Sequence, residues 1–208
     1  MPQVSLLGPG KARTQIDRLY LETMTSIPTL ETDRLLLRRW QFSDREPFAA
    51  MNRDPQVMQH FPAVLTPIES NRLIDRAESH FERHGFGPWA AELRGSQEFI
   101  GFIGLSVPNF EAPFMPSVEI GWRLASARWG LGLATEGAKA AVCHGFAFLK
   151  LPALVSFTVP ANTRSRRVME KLGMTHNPAD DFDHPNLPEG HPLRRHVLYC
   201  LAARDALY

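Results

Sequence analysis

Three glycines crowd the start of a helical pattern in "ARWGLGLATEGAKAAVCHGFAFL", residues 127–149, where residue types most plainly invite chemistry. Glycine inside a helix costs about 1 kcal/mol relative to alanine, so Gly130, Gly132 and Gly137 need a reason to be there. A strand, a glycine-rich turn and a helix start present several backbone N–H groups to an anion, because the orphan donors and dipole of a helix N-terminus favour negative charge. The same residues would also suit a sharp turn with close packing, and the segment alone leaves both readings open. A Walker loop is excluded, since no Gly-Lys-Ser/Thr is present. The dinucleotide fingerprint fails because Thr135 stands where its third glycine belongs.

Ahead of this turn, "SVEIGWRL" alternates: Val118, Ile120, Trp122 and Leu124 share one face, and Ser117, Glu119, Gly121 and Arg123 the other. Glu119 therefore turns away from the apolar face with small Gly121 beside it. A carboxylate so placed can serve as a general base or pair with an arginine on an exposed strand. Beyond a short apolar strand, "NTRSRRVMEKLGM" gives a helix with Asn162 as its cap and Gly173 as its stop. Ser165 falls in its first turn, and Arg164, Arg166, Arg167 and Lys171 make it basic. A last cluster, "DDFDHPNLPEGHPLRRH", carries His184, His191 and His196 with Asp180, Asp181 and Asp183, all metal-ligand types. Its spacing fits no compact metal signature, and Pro185, Pro188 and Pro192 mark an irregular loop, so no metal is expected and a structural or acceptor-contacting loop is.

The elements that must position these residues are legible around them. "TDRLLLRRW" reads as a strand. The next segment offers Ser43 or Asp44 as an N-cap and Pro55 as a stop. Thr66, Pro67 and Glu69 form a capping box with proline in the first turn, Leu73, Ala77 and Phe81 supply a buried face, and Gly85 closes that helix. A hairpin turns at Gly95-Ser96. The helix after the glycine turn repeats apolar or small residues at Ala138, Ala141, Val142, Gly145, Phe146 and Leu149. "LVSFTV" and "HVLYCL" complete the strands.

At 208 residues the chain suits one domain, with residues 1–26 as an N-terminal arm or extension, the recognisable pattern starting after Met24, and 27–208 as the domain. The balance of 23 basic against 22 acidic residues argues against a nucleic-acid surface. No apolar run approaches the ~20 residues that cross a bilayer, and no secretory leader is evident, so no membrane partner and a cytoplasmic location are expected. Cys143 and Cys200 read as two small buried thiols and not as a disulfide.

The motifs together resemble one family. "WGLGLATEG" looks like the acyl-CoA pyrophosphate loop of the GNAT acetyltransferases, with Gly132 and Ala134 at its last two positions. Trp129 departs from the usual Gln/Arg but resembles the ribosomal-protein N-acetyltransferase branch, which tends to show Trp-Gly-x-Gly-x-Ala-Thr-Glu. "NTRSRRVMEKLGM" is similar to the second motif at Asn162, Ser165, Glu170, Lys171, Leu172 and Gly173, and the resemblance runs from about Leu30 to the C-terminus. It implies an α/β (α+β) GNAT fold: a mixed, mostly antiparallel sheet of about six to seven strands, flanked by helices and splayed after the Glu119 strand. It implies acetyl-CoA as co-substrate, bound by Leu124, Trp129, Gly130, Leu131, Gly132, Leu133, Ala134, Thr135, Asn162 and Ser165. It implies direct acetyl transfer to a primary amine, a protein N-terminus or a small molecule, in a ternary complex, and leaves room for a homodimer.

Transfer from a thioester to an amine needs a base, because an alkylamine of pKa about 10 is mostly protonated at neutral pH. Glu119 is the candidate, acting directly or through water. Many members protonate the leaving sulfur with a tyrosine whose aligned position here is Met169, so Ser165 is the candidate donor, acting through water. The missing tyrosine and Trp129 keep open an acyl-CoA-binding regulatory protein without catalysis. A metal-dependent protein built on the histidine loop is a third reading.

Overall fold

The computed structural model describes residues 28–206 and lays the chain out as one splayed sheet with helices on both faces. The strands are β1 (Leu30–Glu31), β2 (Leu35–Arg38), β3 (Pro88–Leu93), β4 (Glu98–Ser106), β5 (Glu119–Leu124), β6 (Ala153–Thr158), β7 (Thr175–His176), β8 (Phe182–Asp183) and β9 (Arg195–Ala202). The helices are α1 (Arg45–Arg53), α2 (Pro67–His84), α3 (Leu133–Ala147) and α4 (Thr163–Lys171). The sheet order is β1-β2-β3-β4-β5-β6-β9-β7, with β8 on a separate stretch of β9. Nine strands exceed the expected six to seven because β1, β7 and β8 are two-residue pieces, too short to show a period. The proposed arm and the Met24 start lie outside the described residues.

Local signals held where a cap or turn fixed them. Thr66 accepts from the Glu69 N–H, Glu69 accepts from the Thr66 N–H at 2.8 Å, and Gly85 ends α2 in the left-handed region at φ 73°. Asp44 does stand at the head of α1, yet its buried carboxylate takes two hydrogen bonds from the Arg38 guanidinium and one from the Gln41 N–H instead of capping the helix. Arg38 also donates to Glu92 at 2.7 Å, so a buried ion network pins the start of α1 to β2 and β3.

Strand alternation decides which helix meets which face. Ile103, Leu105, Ile120 and Leu124 join the main core with Ala138, Ala141, Val142 and Phe146 of α3. On the opposite face, Phe48 and Met51 of α1 and Ile74 of α2 pack with Trp40, Phe99 and Phe102. Leu73 is only half-buried beside them. Cys143 departs from expectation: it is exposed on the outer side of α3, while Cys200 is half-buried, and both are free.

Gly137 owes its place to packing. A Cβ there would sit 2.5 Å from Ile103 Cδ1 and 3.1 Å from Leu35 Cδ1, so any larger residue would have to push these two buried side-chain ends aside. Gly137→Ala gains helix propensity of about 1 kcal/mol, but overpacking costs about 1–3 kcal/mol. Thermal unfolding is expected to show a melting temperature lower by a few degrees; an unchanged or higher value would remove the packing role.

All neighbouring strands pair antiparallel except β5 and β6, which run parallel and share a single register pair, Glu119 with Val155. The Val155 N–H donates to the Val118 carbonyl at 2.9 Å, and beyond that point the two strands part. The sheet therefore opens as a V with Glu119 at its apex.

Candidate active site

The V is a cleft of about 860 Å³ lined by both diverging strands, the N-termini of α3 and α4, the 59–62 segment and the His184/His196 loop. Because β5 and β6 are parallel, the helices that follow them begin at the same open end. Two helix N-termini thus converge on the mouth, while the apex holds a carboxylate.

At the mouth, Gly130 and Gly132 adopt φ of 75° and 80°, a region that L side chains rarely enter. A Cβ on Gly130 would meet nothing within 4 Å and one on Gly132 only the Arg34 guanidinium, so these two glycines leave open space over the backbone and are not packed. The first intrahelical bond recorded at this end is Glu136 N–H to the Gly132 carbonyl, and the N–H groups of Leu133, Ala134 and Thr135 precede it. The structure separates the two readings by residue: Gly137 packs against the sheet, whereas Gly130 and Gly132 leave the backbone open, as an anion cradle would require.

That cradle is held rigid from both sides. Glu136 accepts from Thr32 Oγ1 at 2.6 Å and from Arg34 Nε at 2.6 Å, while Arg34 Nη1 donates to the Leu131 carbonyl at 2.9 Å. Trp129 donates from Nε1 to the Leu124 carbonyl at 2.8 Å, and the Arg164 guanidinium lies 4.8 Å above its ring. Trp129 is thus a brace between β5, the loop and α4, which accounts for tryptophan where the wider pattern has Gln or Arg.

Of the residues singled out as cofactor contacts, Leu124, Trp129, Gly130, Gly132, Leu133, Ala134, Thr135, Asn162 and Ser165 line the cleft. Leu131 does not: its side chain is exposed, and its carbonyl is taken by Arg34. Arg164, Arg167 and Lys171 also line the cleft, and none forms an ion pair among the described residues. Arg166 turns away to the Tyr199 hydroxyl and the Pro160 carbonyl. Arg164 and Arg167 in the first half of α4 and Lys171 at its end, together with two helix N-termini, offer positive charge that fits a polyphosphate.

Asn162 caps α4 by accepting from the Ser165 N–H at 3.3 Å, and its Nδ2 donates to Thr158 Oγ1 at 2.9 Å and Ser165 Oγ at 3.1 Å. With Asn162 donating to its oxygen, the Ser165 hydroxyl keeps its own hydrogen for a partner in the cleft. Met169 is buried in the cleft wall, and no lining residue is a tyrosine.

At the apex, burial pushes the Glu119 carboxyl up to about 8, against the lowering effect of a hydrogen bond from Ser106. A Cβ on Gly121 would lie 3.6 Å from Glu119 Oε1, so the missing side chain keeps the carboxylate's surroundings open. Such a base is well matched to an amine, strong enough to take its proton and free to ionise a little above neutrality.

His184 and His196 border the same cleft with ring centroids 5.1 Å apart, within a box of Phe110, Phe114, Phe157 and Phe182. Burial lowers the pKa of both, and at His184 the neighbouring His196 lowers it further. His191 instead accepts from the Leu193 N–H within its loop. Among the described residues no group of three metal-ligand side chains comes together.

A parallel splay with an open glycine turn and two helix N-termini at its mouth and a carboxylate at its apex is an arrangement that could hold an acyl-CoA. Residues 34–175 match the acetyltransferase (GNAT) domain family, and the chain belongs to it. It is 34% identical over 164 residues to the FsC-acetyl coenzyme A-N(2)-transacetylase of Aspergillus fumigatus, covering 74% of this chain and 68% of that one. It is 31% identical over 155 residues to the protein YkkB of Bacillus subtilis, covering 73% and 87%. The crystal structure of a GNAT-family acetyltransferase from Bacillus anthracis superposes with a TM-score of 0.70 at 25% identity, over 85% of this chain and 99% of that one. The protein is a GNAT acetyltransferase that uses acetyl-CoA. No helix of the described residues is long and apolar enough to cross a membrane.

Sequence reasoning missed Ser106, Phe157 and Arg123 as walls of this cleft. Arg123 was legible as sharing a face with Glu119, but its burial was not, because alternation says which side a residue takes and nothing of what covers it.

Proposed function

We propose that the protein transfers the acetyl group of acetyl-CoA to a primary amine by direct attack, with Glu119 as general base and Ser165 as hydrogen-bond donor toward the leaving sulfur. The observation that carries this reading is the shared cleft: the strand that ends in the phosphate cradle begins at Glu119, where the sheet parts. Gly130, Gly132 and the first turn of α3 would hold the pyrophosphate, with Arg164, Arg167 and Lys171 toward the outer phosphate and Asn162 and Ser165 beside the thiol end. Acetyl-CoA supplies an activated acyl carbon. The chain's part is to align that carbon, accept the amine proton on Glu119 and solvate the departing thiolate. The motif Trp129 to Glu136 supports placement in the ribosomal-protein N-acetyltransferase branch, and the acceptor remains either a protein N-terminus or a small molecule on that motif alone.

A thiol-release screen with acetyl-CoA against peptide N-termini, amino acids, polyamines and aminoglycosides tests the proposal. Turnover of at least one amine, with intersecting initial-velocity lines for a ternary complex, is expected. No turnover of any amine would favour a protein that binds acyl-CoA without catalysis. Ser165→Ala is expected to lower kcat by about tenfold or less, since a neutral hydrogen bond is worth about 0.5–1.5 kcal/mol, with acetyl-CoA affinity nearly intact. A loss of 10³-fold would make Ser165 the acid itself.

A further inference from the structure

Arg123 is the cation in the cleft that the reading above leaves without a task. Its Nη1 donates to Asn52 Oδ1 at 2.7 Å, and the ring centroids of Phe61 and Phe102 lie 4.0 and 5.7 Å from its guanidinium carbon. Its Nε is buried without a hydrogen-bond partner, and Nη2 makes no hydrogen bond among the described residues. No carboxylate of the described residues stands within 4.0 Å of it. Buried charges in proteins are nearly always paired, because desolvation costs several kcal/mol per ion. Burial alone lowers the arginine to about 10, which still leaves it charged at neutral pH. A guanidinium with one end nitrogen occupied, its faces covered by rings and its Nε/Nη2 edge unpaired presents the fork that a planar carboxylate fits with two parallel bonds.

Its position says which ligand. Arg123 shares the Glu119 face of β5, the face that α1 covers, whereas the phosphate cradle belongs to the start of α3 on the other side. Four residues of strand, at about 3.3 Å each, separate their Cα atoms by about 13 Å, a span that two side chains leaning together can close around a small molecule. We propose that the amine acceptor also carries a carboxylate, and that Arg123 binds it while Glu119 takes the proton from the amine. This rests on the acetyl-transfer reading and narrows its acceptor to amino acids and related small molecules, against polyamines and large peptides.

The test uses the full chain and acceptors in matched pairs: L-amino acids and γ-aminobutyrate, each beside its carboxamide, with spermidine as a cationic control. Wild type is expected to favour acids over carboxamides by at least about tenfold in kcat/KM, or 1.4 kcal/mol, and to use spermidine less well than either. Arg123→Gln should raise the acceptor KM, abolish the preference and leave the acetyl-CoA Kd within about twofold. It should melt close to wild type, since removal of a charge without a carboxylate partner offsets the hydrogen bond lost at Asn52. Asn52→Asp keeps the arginine but gives it an internal carboxylate, and should reproduce the loss. Equal use of acids and carboxamides, or an Arg123→Gln effect on acetyl-CoA and not on the acceptor, would overturn the assignment. Thermal-shift titrations of the CoA-bound protein with the same acids need no turnover. If every amine fails as a substrate, the acetyl-transfer reading falls. In that case stabilisation of wild type but not Arg123→Gln would still support a carboxylate site, and no stabilisation would end it.

Discussion

Glu119→Gln should lower kcat at neutral pH by about 10²- to 10⁴-fold, the usual contribution of a general base, while acetyl-CoA affinity stays within about twofold. Glutamine keeps the size and hydrogen bonding of the residue and removes only its basicity. Folding provides an internal control with a defined sign. The native carboxyl ionises near 8, above its ordinary 4.5, so between those values the unfolded chain has released a proton that the folded chain keeps. Stability from this group is fully present below pH about 4.5 and falls as pH rises to about 8. Glutamine carries no such dependence. The variant should therefore gain melting temperature relative to wild type across that window, and a catalytic loss paired with a stability gain cannot be explained by damage to the fold.

Replacing Gly132 with valine is the second large effect, and it should weaken acetyl-CoA binding by at least tenfold, or about 1.4 kcal/mol. The residue sits at φ 80° at the head of α3, where a Cβ would meet only the Arg34 guanidinium within 4 Å. A β-branched side chain is strained there and stands where a pyrophosphate must touch the backbone. Gly132→Asn separates the two causes, because asparagine tolerates the left-handed region. If blocked approach dominates, the asparagine variant melts near wild type and still binds acetyl-CoA weakly, as titration calorimetry would show. Undiminished affinity in a folded valine variant would take the loop out of the cofactor site.

The glycine turn, the capped helix of the second motif and the alternation that turns Glu119 from the apolar side were readable because each is local: caps, positive-φ glycines and a period of two are written in consecutive residues. The capping box of Thr66 and Glu69 and the stop at Gly85 were legible for the same reason. What the chain could not show was long-range. Gly137 faces Ile103 and Leu35, distant in sequence, so the segment alone left its packing role open beside the loop's chemistry. The Arg34–Glu136 clamp joins residues from opposite halves of the chain. Cys143 falls one place past Val142 on a helix whose small residues blur its inner edge, and a thiol assumed buried is exposed. The value of about 8 at Glu119 comes from what closes over it, which no period records.

Direct base catalysis at the apex of the splayed sheet is tested most sharply by the pH dependence of kcat/KM for the acceptor, measured side by side for wild type and Glu119→Gln. Wild type should rise through an apparent pKa near 8, with a further rise toward the acceptor amine's own pKa of about 10. In the variant the limb near 8 should be gone and the gap between the two enzymes should narrow as pH rises and free amine no longer needs a base. Parallel profiles with rates within about twofold of each other at every pH would contradict the account.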